Sequence, residues 1–190
     1  MLLSKDINKA DLQICSRCIY DERVPGIEFN SEGICNYCQQ VDDLIEQYGY
    51  AQKKGIDELN RIISKIKKSG KKRKYDCVVG VSGGTDSSYM LYLTKEWGLR
   101  PLAVHYDNTW NTAIATQNIR KMLSKLGIDL YTKVVNNKEA DDIFRSFFEA
   151  SVAELDASTD LAYAETMYRA AAKYRIKYVF CRENFQDTWF

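Results

Sequence analysis

The spacing of apolar residues changes character at Tyr75. Before it, Ile56, Leu59, Ile62, Ile63 and Ile66 recur every three or four positions, which predicts an amphipathic helix over 54–68, ended in the Gly70 region. From Tyr75 to Val81 the period gives way to a short, β-branched apolar run, the pattern of a strand buried on both faces of a parallel sheet. Helical spacing returns from Asp86 onward with Met90, Leu91, Leu93 and Trp97. The pattern then predicts a strand over 102–106, a helix from Thr112 to Leu126 and a strand from Asp129 to Val135. Helices over 139–150 and 160–174 and a strand from Lys177 to Cys181 follow. Strands alternating with helices imply an α/β fold with a doubly wound parallel sheet and right-handed crossovers. Ligands then bind beyond the carboxyl ends of the strands.

The turn between the first strand and its helix reads Gly80-Val81-Ser82-Gly83-Gly84-Thr85-Asp86-Ser87. Backbone amides exposed by such a glycine turn, together with the positive end of the following helix, make an anion site. A Walker loop would need GxxxxGK[ST], and a dinucleotide loop GxGxxG with an acid about 20 residues on; neither pattern is met. The string matches SGGxDS and resembles the pyrophosphate loop, or PP-loop, of ATP pyrophosphatases, which split ATP into AMP and pyrophosphate. On that likeness Ser82, Gly83, Gly84, Thr85 and Ser87 offer amides and hydroxyls to the β- and γ-phosphates, and Asp86 is placed to bind Mg²⁺. An ordinary strand-to-helix turn, with Asp86 as a helix cap, is the competing reading.

A second signal lies upstream. Cys15-Ser16-Arg17-Cys18 and Cys35-Asn36-Tyr37-Cys38 are two CxxC pairs flanking a loop with Pro25, Gly26 and Gly33. Paired thiolates two residues apart grip one ion from a tight turn, so the spacing points to a structural four-cysteine zinc site. Two disulfides and an iron-sulfur cluster are the alternatives. Met1-Leu2-Leu3 runs at once into Ser4, Lys5 and Asp6, with no secretory pattern, which leads us to expect a cytoplasmic protein in a compartment that disfavours disulfides.

Composition narrows the picture. With 190 residues, 45% hydrophobic, the chain is long enough for one α/β core beside a small metal-held module. We expect a cysteine module over 1–50, a helical basic linker over 51–74 and a nucleotide domain over 75–190. No apolar run approaches the roughly 20 residues of a membrane span. A net charge of +1 argues against nucleic acid as a partner. Lys67, Lys68, Lys71, Lys72, Arg73 and Lys74 form a local basic cluster without interleaved aromatics, read as a solvated linker in preference to a nucleic-acid patch.

By the strand-end rule, His105-Tyr106-Asp107-Asn108-Thr109-Trp110-Asn111 is the next candidate region. Asp107 is placed to meet the nucleotide or its metal, and Trp110 and Asn111 to stack on and hydrogen-bond a substrate. His105, flanked by Val104 and Tyr106, reads as a half-buried structural residue. Ser158-Thr159-Asp160 reads as a helix N-cap, and Tyr163, Met167 and Ala170 as core.

Taken together, the cysteine pairs, the SGGTDSSY loop and the Asp107-Asn108-x-Trp110-Asn111 string resemble the N-acetyl sugar amidotransferases of lipopolysaccharide and nonulosonic acid biosynthesis. The likeness runs from about Gln13 to Phe185 and includes Asn118-Ile119, Lys125 to Leu130 and Thr159-Asp160. It implies ATP-dependent conversion of an acetamido sugar to an acetamidino sugar, with ammonia from a partner glutaminase. Its cofactors would be ATP, Mg²⁺ and Zn²⁺, and the sugar would approach Trp110, Asn111 and Asp160. Two departures stand out. Cys181-Arg182-Glu183-Asn184 replaces a Gly-Glu-Asn string, and the chain stops at Phe190 where family members continue, so a truncated or split form with an exposed sheet edge and low activity is expected. A tRNA thiolation enzyme of the PP-loop class and a non-catalytic nucleotide-binding subunit are the rival readings.

Overall fold

A computed structural model describes residues 12–152 and 154–180. The chain divides between Asn60 and Arg61 into two compact units.

The first unit is built around its cysteines. Two short antiparallel bridges, Ile14 with Asp21 and Phe29 with Cys35, close the turns that carry the two pairs. Helix α1 (Asn36–Tyr48) follows and ends at Gly49, whose positive φ lets the chain reverse. The sequence reading assigned no helix here, because it took 1–50 as a single cysteine module. Among the described residues of this unit only Cys15, Cys35 and Gly49 are buried, and α1 leaves Val41, Leu44 and Tyr48 at least half exposed.

Helix α2 (Lys53–Gly70) runs across the division between units. The second unit then alternates β1 (Cys77–Gly80), α3 (Thr85–Glu96), β2 (Pro101–Asp107), α4 (Ala113–Leu126), β3 (Leu130–Val134), α5 (Asn137–Glu149), α6 (Ala157–Lys173) and β4 (Val179–Phe180). All pairings are parallel and the strand order is β3-β2-β1-β4. The chain moves outward from β1 to β3, then returns to the far side of β1, so β1 and β4 flank the point where the winding reverses. A ligand crevice forms there in doubly wound sheets.

Side chains alternate along the strands and feed two cores. Val79, Val81 and Ala103 pack on one face with Leu91 of α3 and Ile119 and Leu123 of α4, beside Ile63 and Ile66 from the end of α2. Val78, Leu102 and Val104 pack on the other with Met167, Ala170 and Ala171 of α6. Each fully buried aliphatic side chain contributes about 1.5–3 kcal/mol. Below β1, the buried Asp76 accepts a two-pronged ion pair from Arg100, whose guanidinium also donates to the Gly70 carbonyl and ties the end of α2 to the sheet.

The predicted elements are all present, with differences at their ends. Helix α6 begins at Ala157 with Asp156 at the cap position, so Ser158, Thr159 and Asp160 form its first turn and do not cap it. Helix α5 starts two residues early because the Asn136 side chain accepts from the Lys138 amide at 3.1 Å. Cys181, Arg182, Glu183 and Asn184 lie outside the described residues. Among the described residues no helix is long and apolar enough to cross a membrane.

Candidate functional site

Beyond the carboxyl ends of β1, β2 and β4 lies a cavity of about 510 Å³, within the ~300–1,000 Å³ of small-molecule sites. One wall is the loop Ser82–Ser87, which the hydroxyls of Ser82 and Ser87 close on themselves at 3.3 Å, while Ser87 Oγ also accepts from the Ser82 amide. Gly83 has φ +81°, and a Cβ there would lie 2.3 Å from the Ala115 carbonyl. The loop therefore presses against the start of α4, where Asn118 Nδ2 donates to the Gly83 carbonyl. Only glycine fits both the conformation and the space.

Helix α4 is capped by its own Thr112, which accepts from Ala115, and α5 by Asn136, whereas α1, α3 and α6 have no side-chain cap. Helix α3 begins directly after Gly84. A helix start has amides without intrahelical partners, and those of α3 follow a glycine loop on the cavity wall, an arrangement suited to an anion. Asp86 in the first turn of α3 and Asp160 in the first turn of α6 bring two carboxylates to the same cavity.

Of the residues singled out from sequence, the cavity gathers Ser82, Gly84, Thr85, Asp86, Ser87, Asn111 and Asp160. Gly83 shapes the loop from behind. Asp107 is turned to a groove on the α4 side, shared with Arg120 and Asp129. Its Oδ1 accepts from the Thr109 amide at 2.8 Å and from Asn111 Nδ2 at 2.9 Å. Trp110 lies in an adjoining recess of about 80 Å³, edge-on to Phe144 at 4.9 Å between ring centres. The loop that carries it is built from two successive side-chain turns, Asp107 on Thr109 and Asn108 on Trp110, and holds Thr109 at φ +66°. A β-branched residue in that conformation stores strain.

Several wall residues escaped the sequence reading, Tyr106, Asn108 and Tyr163 among them. Tyr106 and Asn108 sit where the strand-end rule pointed, but were passed over between more reactive neighbours. Tyr163, one helical turn beyond Asp160, packs against the core as read and also forms cavity wall. Its hydroxyl approaches β1 so closely that a Cβ at Gly80 would lie 1.5 Å from it. His105, read as half-buried, is buried, and it also edges the cavity.

The four upstream cysteines converge. Cys15 and Cys38 sulfurs are 3.9 Å apart, Cys18 and Cys35 3.7 Å, and all four lie within 4.8 Å of one another. Thiolates about 2.3 Å from one ion at tetrahedral corners would be about 3.8 Å apart, whereas disulfide sulfurs sit at about 2.05 Å. An iron-sulfur cubane binds each sulfur through a different iron and would spread them farther. The set therefore fits a single tetrahedral ion, with every position filled by protein. Burial pushes the Cys15 thiol up, but amides of Arg17 and Cys35, at 3.4 and 3.3 Å, outweigh it and bring it to about 6. Cys38, raised first by burial and then by its neighbours' thiols, stands at about 12. In the sheet unit Cys77 is fully buried in β1, and burial pushes its thiol up to about 12, so it offers no nucleophile.

Fold and site thus define a doubly wound parallel α/β protein with a glycine-rich loop at its switch point and a four-cysteine cluster able to hold a metal. No protein-family model matches the chain. An uncharacterized protein of Methanocaldococcus jannaschii is 31% identical over 133 residues, covering 68% of this chain and 44% of that protein. The chain thus spans less than half the length of that relative. Among solved structures, an NH3-dependent NAD synthetase of Campylobacter jejuni aligns with TM-score 0.45 and 16% identity, over 64% of this chain and 54% of its own. The NMN synthetase of Francisella tularensis gives 0.44 and 19%, over 64% and 52%. An NAD+ synthetase of Burkholderia pseudomallei gives 0.36 and 21%, over 65% and 60%. At these scores the likenesses carry no argument about chemistry, which rests on the geometry of the cavity.

Proposed function

We propose that this chain is a PP-loop ATP pyrophosphatase that works as an amidotransferase, converting the acetamido group of a sugar to an acetamidino group with ammonia from a partner glutaminase. The observation that carries the nucleotide half is the α3 start: a Ser-Gly-Gly loop, a helix with no side-chain cap, and a first-turn carboxylate, all on one cavity at the switch point. The sugar half rests on the sequence likeness and on the loop from Asp107 to Asn111 beside that cavity.

The chemistry asks for positioning more than for reactive side chains. The amide oxygen of the acceptor attacks the α-phosphorus of ATP, the α–β bridge breaks, and pyrophosphate leaves. Ammonia then adds at the activated carbon, AMP departs with the oxygen, and an amidine remains. Amides of the 82–87 loop and the α3 start receive charge developing on the leaving pyrophosphate. Asp86 and Asp160 supply the oxygen donors that a hard cation prefers, so both fit Mg²⁺, which would neutralise the same charge. Asn111 also lines the cavity, where it would orient the acceptor amide. The four cysteines would hold zinc in a structural role. Cys77 is too deeply buried to serve as a sulfur carrier in tRNA thiolation, which counts against that rival.

The deciding experiment measures pyrophosphate release from ATP with ammonium and a panel of nucleotide-activated acetamido sugars. Release that needs both a sugar and Asp86 is expected. ATP binding without release under any of these conditions would instead favour a non-catalytic nucleotide-binding subunit.

A further inference from the structure

We propose that His105 is a positioning residue that couples the two walls of the cavity, an inference that rests on the nucleotide reading of the 82–87 loop. Its Nδ1 lies 2.8 Å from the Val81 carbonyl, the last group before Ser82. A carbonyl only accepts, so Nδ1 carries the proton and, in the neutral ring, Nε2 presents a lone pair. The side chain facing that lone pair is Asn111, whose Nδ2 stands 3.5 Å from Nε2 and donates to Asp107 Oδ1 at 2.9 Å. One buried ring thus ties the root of the phosphate loop to Asn111, which lines the same cavity. A shift of the loop on filling by an anion is passed to Asn111, and the reverse.

A residue that only filled space would show neither a fixed tautomer nor a preference between its two nitrogens. His105 is the chain's one histidine, so a single imidazole signal reports on it without assignment. Nitrogen NMR at pH 8 is expected to find the Nδ1–H tautomer. Asn111→Ala should move the Nε2 resonance, and Mg·ATP should move it in the wild type. Two substitutions then separate the nitrogens. His105→Asn keeps an amide N–H where Nδ1 stood, and His105→Gln reaches only toward Nε2. His105→Gln should weaken Mg·ATP binding more than His105→Asn does, by roughly three- to ten-fold, the worth of one hydrogen bond. The Nε2–H tautomer, an Nε2 signal indifferent to Asn111→Ala, or equal loss in the two variants at equal melting temperature would overturn the proposal. No Mg·ATP binding by the wild type, with tautomer and Asn111 response as expected, would sink the nucleotide reading and leave the link between the loops standing.

Discussion

Between residues 12 and 60 the buried side chains are two cysteines, while the sheet unit buries aliphatic residues on both of its faces. The contrast separates two ways of meeting the entropy cost of folding. The sheet unit does so with apolar area, whereas the cysteine unit, whose Ile14, Ile19, Val41 and Leu44 remain at least half exposed, has no such reserve, and an ion held by its four cysteines would supply the difference.

The largest break in this comparison is metal removal. A structural ion in such a site contributes an apparent ~10–16 kcal/mol. Chelation or Cys35→Ser should therefore unfold the first unit and leave the melt of the second in place, as limited proteolysis confined to the segment before Asn60 would show. Equal protection with and without chelator would refute it. Acid acts in the same direction. An ion held by four thiolates competes with protons for them, so its occupancy should fall as pH is lowered, as metal analysis across a pH series would show. The converse experiment is Leu91→Ala, which empties a fully buried position in the sheet unit and should cost about 3 kcal/mol there with metal content unchanged, as calorimetry and metal analysis would report. Asp86→Ala should leave both units folded and lower pyrophosphate release on the order of a hundredfold. Smallest is Thr109→Gly, which relieves a strained φ and should raise the sheet-unit melt by about 1 kcal/mol at most.

Much of the sheet unit was legible in the sequence, because a strand buried on both faces reads as an unbroken apolar run and its helices as clean stripes. The loop at 82–87 was legible for a different reason: a positive φ and a 2.3 Å approach leave glycine as the only choice at position 83. What stayed hidden depends on contact between distant segments. Tyr163 has the helical spacing of a core residue, and nothing local reveals that its hydroxyl reaches β1. Asp107 and Asn111 are equally polar in the sequence, and only the turn at Thr109 decides that Asn111 enters the cavity while Asp107 serves as its support. Helix α1 was missed because its apolar stripe meets no core in its own unit to make it conspicuous.

The near-contact between Gly80 and Tyr163 carries an evolutionary consequence. Since a single methyl at position 80 and a phenol at position 163 compete for one volume, related chains should vary at these two places together. Glycine should accompany tyrosine, and a larger residue on the strand should appear only where the helix has given up its ring. A lineage that acquired alanine at 80 first would be obliged to reshape the cavity wall before it could keep the change.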